Sequence, residues 1–450
     1  MDPKRILLIN PNWTGIQNQK QRQFKRLWPP LSLALAAAMM ERQGLEVRII
    51  DNQVKGHSPE KIGLLAEKYD RVFVTSTPYD RWQCPSLDIG FFFDTLRHIS
   101  KDKLCVLGSH VTERPEAILR ESGARAAILG EPEQTMLDMA CTQYPDDLER
   151  IPGLAWLDEG CVKKSADREY MKNMDALPYP AFHLLDMKAY HYFPVMGKSF
   201  GILEASRGCP GKCNFCYMGM YGRRVRRKSV DRFLDETEWA VRKMGLKNVY
   251  FMDLEFAINK RFVLDFCQGL EDRGLILNWC CQTRVTDMDE EVAQAMAQAG
   301  CSLIHFGVEA GTDRILKQTG KGILVKDCYK AVRLCKSFGI RTALFMNFGF
   351  PGEHDYEMEA TIKLALNLDP DYAAFHLIVP FPGTALADNC GLNPENFPAH
   401  QYPHYNFFDH DLEKLKRMLH QAYWKFYLRP RPIFNVLGDM LKNSQNMLFK

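Results

Sequence analysis

The sequence predicts two α/β units in series, joined by a proline-rich linker and followed by a helical tail. Three observations predict it. Short β-branched runs alternate with helical stretches over residues 1–150. That alternation fades where prolines gather in ALPYPAFHLLD (Ala176 to Asp186), and a second series of six strand-like runs begins at Gly201. Strands separated by helices pair in parallel, because each crossover returns the chain to run in the same direction.

In the first unit RILLIN (Arg5 to Asn10) is strand-like, with four apolar residues from Ile6 to Ile9. LSLALAAAMMERQG (Leu31 to Gly44) reads as a helix ended by its glycine. EVRIID, RVFVTST, LCVLGSH and AAILGEPE follow as strands with helical stretches between them, which makes residues 1–150 a doubly wound, Rossmann-like parallel sheet. Ligands in such sheets sit beyond the carboxyl ends of the strands, so NPNWTG, STPYDRW, GSH and GEPE are candidate ligand loops. Residues 151–195 read as a linker with a small hairpin around LAWLDEGCVKK. Residues 196–390 carry the strand candidates GILEAS, NVYFMD, NWCCQTR, SLIHFGVEAG, RTALFMNFGF and YAAFHLIVPF, with helices such as Val230 to Met244 and Asp289 to Ala299 between them. Six β/α units would close much of a TIM-like barrel, a partial (β/α)6 whose reactive groups gather at the strands' carboxyl ends. Residues 391–450 form a helical region, with a helix over Asp411 to Tyr427.

Hydrophobic residues are 46% and charged residues 25% of the 450, the balance of a soluble globular chain. The net charge of +3 is too near neutral to argue for a nucleic-acid or anionic-membrane partner. The basic run GRRVRRK (Gly222 to Lys228) reads as a solvated edge, with a clamp for an anionic group as the alternative. No run of about 18 apolar residues marks a transmembrane segment, and Ile6 to Ile9 is too short for a signal-peptide core. The fourteen cysteines are scattered, not arranged as a disulfide framework, so a cytoplasmic setting with thiols kept for metal is expected.

The chemistry concentrates in SRGCPGKCNFCYMGMYGRR (Ser206 to Arg224), where Cys209, Cys213 and Cys216 are spaced C-x3-C-x2-C just after the first strand of the second series. A structural zinc site takes four ligands, yet the next cysteine is Cys267 and the next histidine His305. Three thiolates suit an iron–sulfur cluster whose fourth iron stays open. Here the sequence resembles the radical S-adenosylmethionine (SAM) superfamily, whose signature C-x3-C-x-aromatic-C is matched by CPGKCNFC with Phe215 at the aromatic position. The resemblance spans about Gly201 to Leu386. It implies that Cys209, Cys213 and Cys216 hold a 4Fe–4S cluster whose open iron chelates SAM. One electron then cleaves SAM to a 5′-deoxyadenosyl radical. It also implies SAM contacts at Phe215, at Asp253 and Glu255 in YFMDLEFAIN, at Arg284 ending CCQTR, and at Glu309 in HFGVEAGTD. A capped strand end is the alternative for Asp253 and Glu255.

VLGSHVTERPEAILRESGARAAILGEPEQTMLDM (Val106 to Met139) resembles the cobalamin-binding domain that precedes many radical SAM enzymes. That resemblance implies a corrin held by Gly108, Ser109, His110, Gly130 and Glu131, with Asn10, Pro11 and Asn12 of LINPNW and Ser76 and Thr77 of VTSTPYDRW completing the site. The D-x-H-x-x-G motif of a histidine beneath cobalt is absent, so His110 is not assigned that role. Trp82 and Phe91 to Phe93 read as core packing, with a corrin contact as the alternative.

Together the two resemblances imply a cobalamin-dependent radical SAM enzyme of the branch that includes the anaerobic magnesium-protoporphyrin ester cyclase and the hopanoid and tetrapyrrole methylases. The reaction they imply is methylation of an unactivated carbon through methylcobalamin. The alternatives are cyclisation or oxidation of a tetrapyrrole or lipid without methyl transfer, and an iron–sulfur sensor or scaffold that never cleaves SAM. The expected partners are a small-molecule substrate and an electron donor such as flavodoxin or ferredoxin; KFYLRPR in the aromatic, basic tail resembles tails of the tetrapyrrole and lipid branch, which implies a large apolar substrate, with a helix packing back on the barrel as the alternative. No nucleic acid is expected.

Overall fold

The computed structural model describes residues 4–12, 27–77, 88–142, 148–192, 195–401 and 410–448, with side chains to Leu441 in the last helix. Contacts divide the chain into two compact units. The first holds residues 1–190 and two later segments, 217–222 and 393–402; the second holds the remainder.

The first unit is built on seven strands: β1 (Arg5–Asn10), β2 (Glu46–Asp51), β3 (Arg71–Thr75), β4 (Leu104–Leu107), β5 (Ala126–Ile128), β6 (Leu154–Asp158) and β7 (Cys161–Lys164). Their order is β2-β1-β3-β4-β5-β6-β7, parallel through β5. The last two strands extend the parallel sheet expected over residues 1–150 into a mixed one. β6 pairs antiparallel with β5, and β7 with β6, so the hairpin expected in the linker instead extends the sheet. Glu159 and Gly160 both have positive φ, the tight two-residue turn that joins only antiparallel strands. Leu7, Ile9, Val72, Val74, Leu104 and Val106, all at most 2% exposed, form the core with Phe91 and Phe92.

In the second unit, β8 (Phe200–Leu203), β11 (Asn248–Phe251), β12 (Asn278–Thr283), β13 (Cys301–Glu309), β14 (Arg341–Phe348) and β15 (Tyr372–Leu377) run parallel in chain order, with β9 (Ser206–Arg207) and β10 (Arg226–Arg227) as a separate antiparallel pair. Order that follows the chain, with a helix after each strand, is barrel-like winding. The helix Leu412–Tyr427 guards the outer strand. Tyr427 Oη takes the Ala373 N–H and donates to its carbonyl at 2.8 Å, and Tyr423 Oη does the same at Phe375. Edge groups that could template another strand are thereby satisfied.

Candidate functional site

The three cysteines lie on the loop that leaves β9, at the carboxyl end of β8. Gly211 packs closely on two of the thiols: a Cβ on it would sit 3.2 Å from Cys209 Sγ and 3.9 Å from Cys213 Sγ. Its N–H points at Cys209 Sγ, 3.4 Å away. The loop is pinned on both sides, by Asn214 N–H to the Thr319 carbonyl at 2.9 Å and by Leu386 N–H to the Asn214 carbonyl at 2.8 Å. The thiols are half-buried. Burial, then the nearby Glu255 carboxylate, pushes Cys209 up to about 11, and burial raises Cys213 too. Such thiols keep their protons until a metal displaces them. Among the described residues no group of three or more His, Cys, Asp or Glu closes around a single ion, as a zinc site requires.

Beside the loop lies a buried cluster of charged side chains. Glu309 ends β13 with φ at +70°, where the β13–β14 register slips between Gly307 and Glu309. A non-glycine residue held in that region is strained, and such strain collects at working sites. Glu309 Oε1 meets Lys321 Nζ at 2.5 Å, and Asn347 Nδ2 donates to Glu309 Oε2. Burial opposes the charge on Lys321, yet Glu309 and Cys213 outweigh it, so the ammonium is held above its ordinary range. The Lys321 carbonyl accepts from Arg284 Nη2. Burial pushes Glu255 up to about 8, although Lys321 and Arg284 both pull it down. Arg284 Nε and Glu255 Oε2 are buried with no hydrogen-bond partner among the described residues. An orphaned donor and an orphaned acceptor in one cluster suit a zwitterion, such as the amino and carboxylate end of an amino acid.

Of the residues the sequence pointed to, Glu255, Arg284 and Glu309 come together. Phe215 is half-buried and packs edge-on against Phe350, centroids 6.0 Å apart. Asp253 does not join them. Its oxygens take the Ala205 N–H at 3.0 Å and the Ser206 hydroxyl at 2.5 Å, and burial lifts it to about 6, so it caps the strand that launches the cluster loop. The basic run is neither solvated edge nor clamp throughout. Arg223 and Arg224 are exposed, while Lys228 is buried against the Glu204 carbonyl and Glu236, both within 2.8 Å. Lys321 and Asn347 carry no periodic signal in the sequence. The readable clue to Lys321 is its place between Gly320 and Gly322, which take φ of +69° and +71° in the turn that aims it. A separate open cleft of about 1400 Å³ shares Asn214 with the cluster loop but none of the four charged side chains.

In the first unit the candidate loops leave neighbouring strand ends. The order β2-β1-β3 reverses between β1 and β3, the switch point where doubly wound sheets bind ligands. Asn10, Pro11 and Asn12 leave β1, and Ser76 and Thr77 leave β3. Thr77 Oγ1 takes the Ser109 N–H at 2.9 Å and lies 2.8 Å from Ser109 Oγ. Gly108, at φ +114°, packs so closely that a Cβ would fall 2.5 Å from Ser76 Oγ. His110 is fully buried beside Ser109. Gly130 N–H reaches Thr112 Oγ1 at 3.0 Å, and Glu131 Oε2 takes the Met171 N–H at 2.9 Å. Asn10 Nδ2 donates to Asp51, leaving Asn10 Oδ1 a buried acceptor with no partner among the described residues. The amide-bearing arms of a corrin would supply the missing donor. Trp82 and the remainder of both long loops lie outside the described residues.

A barrel-like β/α unit thus carries a half-buried thiol loop beside a buried cluster of charged side chains. Comparison with known proteins gives the family. Residues 203–365 match the model of the radical SAM superfamily. The chain is 32% identical, over 99% of its length and 98% of the other, to the uncharacterized methyltransferase PH0819 of Pyrococcus horikoshii. It is 26% identical to the anaerobic magnesium-protoporphyrin IX monomethyl ester cyclase of Rubrivivax gelatinosus, over 88% of this chain and 72% of that one. Its fold matches the radical SAM methyltransferase TsrM of Kitasatospora setae, solved with cobalamin and a 4Fe–4S cluster, with a TM-score of 0.69 at 20% identity, covering 86% of this chain and 75% of that one. The chain belongs to the radical SAM superfamily.

Proposed function

We propose that this chain is a cobalamin-dependent radical SAM enzyme that methylates an unactivated carbon of a small molecule. The observation that carries the reading is the orphaned pair, Arg284 Nε and Glu255 Oε2, buried without partners among the described residues beside the half-buried thiols of the cysteine loop. Cys209, Cys213 and Cys216 hold the 4Fe–4S cluster, and Gly211 leaves room for it. Arg284 holds the SAM carboxylate and Glu255 its ammonium, while Lys321 and Asn347 fix Glu309 for the rest of that ligand. Asp253 stays outside this set. When bound, the cluster supplies the electron that cleaves SAM and cobalamin supplies the methyl group to carbon. Asn10, Pro11 and Asn12, Ser76 and Thr77, Gly108 to His110, and Gly130 with Glu131 cradle the corrin at the switch point. A flavodoxin- or ferredoxin-like donor delivers the electron.

Anaerobic turnover with methyl-labelled SAM and a cell extract tests the reading: a product heavier by one labelled CH2 unit supports methyl transfer. The likeness to a cyclase favours a second reaction on the same machinery. A product that gains no CH2 unit while 5′-deoxyadenosine accumulates would select it. Reduced, reconstituted protein that forms no 5′-deoxyadenosine would leave only a sensor or scaffold.

A further inference from the structure

Between Ser206 and Ser229 the chain carries seven lysines and arginines and no acid. Folding divides them. Arg207 and Lys228 are buried and paired with Glu204 and Glu236, each at 2.7 Å. Arg226 is buried as well, and Arg227 lies over the Phe262 ring. Lys212, Arg223 and Arg224 are exposed. Lys212 falls between Cys209 and Cys213, and Arg223 Nη1 donates to the Gly211 carbonyl, so both stand on the loop that carries the thiols.

A fourth exposed cation, Lys317, comes from the helix Asp313–Gln318. The end of that helix holds the same loop. Asn214 Nδ2 donates to the Gln318 carbonyl at 3.1 Å, and a Cβ on Gly320 would fall 2.7 Å from the Lys212 carbonyl. All four cations belong to the second unit. None of them forms an ion pair among the described residues. The neighbouring cations are already neutralised, Arg314 by Glu357 and Lys321 by Glu309. Two exposed acids stand near the four. Asp313 takes the Val325 N–H at 2.8 Å, and Asp388 is on the helix Ala385–Asn389, whose Leu386 N–H holds Asn214. Four cations against two acids leave the rim of the loop positive.

The inference rests on the proposed radical SAM reaction, which needs one electron from outside the chain. Transfer between proteins falls steeply with the gap between the centres. The donor must therefore dock where the thiols come near solvent, and all three are half-buried on this loop. Redox encounters use small, transient contacts that charge steers. We propose that the rim formed by Lys212, Arg223, Arg224 and Lys317 docks an acidic one-electron carrier protein. In the step it serves, the reduced carrier loses one electron and the oxidised cluster gains it; no bond forms and no proton moves. Position selects this partner over a nucleic acid, because the cations flank the loop where that electron must enter.

The test uses the anaerobically reconstituted full chain and a purified flavodoxin of net negative charge. Oxidised flavodoxin should bind in surface plasmon resonance, with an affinity that falls as salt rises. An Arg224→Glu, Lys317→Glu variant should bind it roughly tenfold or more weakly. Iron per chain and the melting curve should stay unchanged, because both side chains are exposed. In stopped flow, reduced flavodoxin should reduce the variant's cluster more slowly by a similar factor. Photoreduced deazariboflavin, which is small and uncharged, should reduce both proteins alike. Absent or salt-independent flavodoxin binding overturns the proposal, as does equal binding by the variant. So does a single-stranded oligonucleotide that binds the parent more tightly and displaces flavodoxin. If the deazariboflavin-reduced parent cleaves no SAM, the radical SAM reading itself fails and takes the docking site with it, an outcome distinct from a misplaced dock.

Discussion

Replacing Gly307 by alanine tests whether the Lys321–Glu309 pair organises the proposed SAM site. The new Cβ would lie 2.1 Å from Lys321 Nζ and 2.4 Å from Glu309 Oε1, where about 3.5 Å is comfortable. Both groups end flexible side chains, so they swing apart and the strand itself need not deform. The cost is electrostatic. Their side chains are 10% and 6% exposed, and opening the pair from 2.5 Å to about 4 Å at an effective dielectric of about 20 loses about 2–3 kcal/mol. If the pair fixes the site, SAM should bind roughly 30- to 150-fold more weakly. Calorimetric titration of anaerobically reconstituted protein measures this, with iron per chain confirming that the cluster is unchanged. In a Lys321→Ala background, most of the alanine effect should vanish, because the pair is already gone. Near-parental SAM affinity in Gly307→Ala, or full additivity of the two substitutions, would refute the reasoning.

Three further outcomes are expected. Alanine at Cys209, Cys213 or Cys216 should abolish 5′-deoxyadenosine formation, read by chromatography after reduction, and persistent product would remove the cluster assignment. Gly108→Ala should weaken cobalamin binding, read from the corrin absorbance that survives gel filtration, because its Cβ meets Ser76 Oγ and Thr77 Oγ1 at 2.5 and 2.8 Å. Burial raises Asp51 from the ordinary 3.8 to about 6, against the hydrogen bonds from Tyr190, Gln53 and Asn10. The native state therefore holds a proton that the unfolded chain releases, and stability drains away as pH climbs from about 4 through 6, by about 3 kcal/mol. Asp51→Asn should remove that slope in denaturant titrations compared across the window; an identical slope in both proteins would exclude Asp51 as its source.

The strands were legible because buried parallel strands are short β-branched runs, and each of the eleven quoted runs outside the linker lies on an observed strand. The cysteine loop was legible because its ligands are neighbours in the chain. The destination of the linker hairpin was not. LAWLDEGCVKK shows a hairpin, but nothing local says that β6 will find the free edge of β5.

Asp253 and Lys321 show the same boundary at the site. An acid after a strand reads alike whether it meets a ligand or a neighbouring N–H, and only packing turned Asp253 toward Ala205 and Ser206. Lys321 lies twelve residues beyond Glu309, and no helical or strand period joins them. The sequence by itself determined the element types and the thiol spacing, which depend on neighbours along the chain. The tertiary structure alone decided which charges pair and which stay exposed, because those choices depend on residues that only folding brings within a few ångströms.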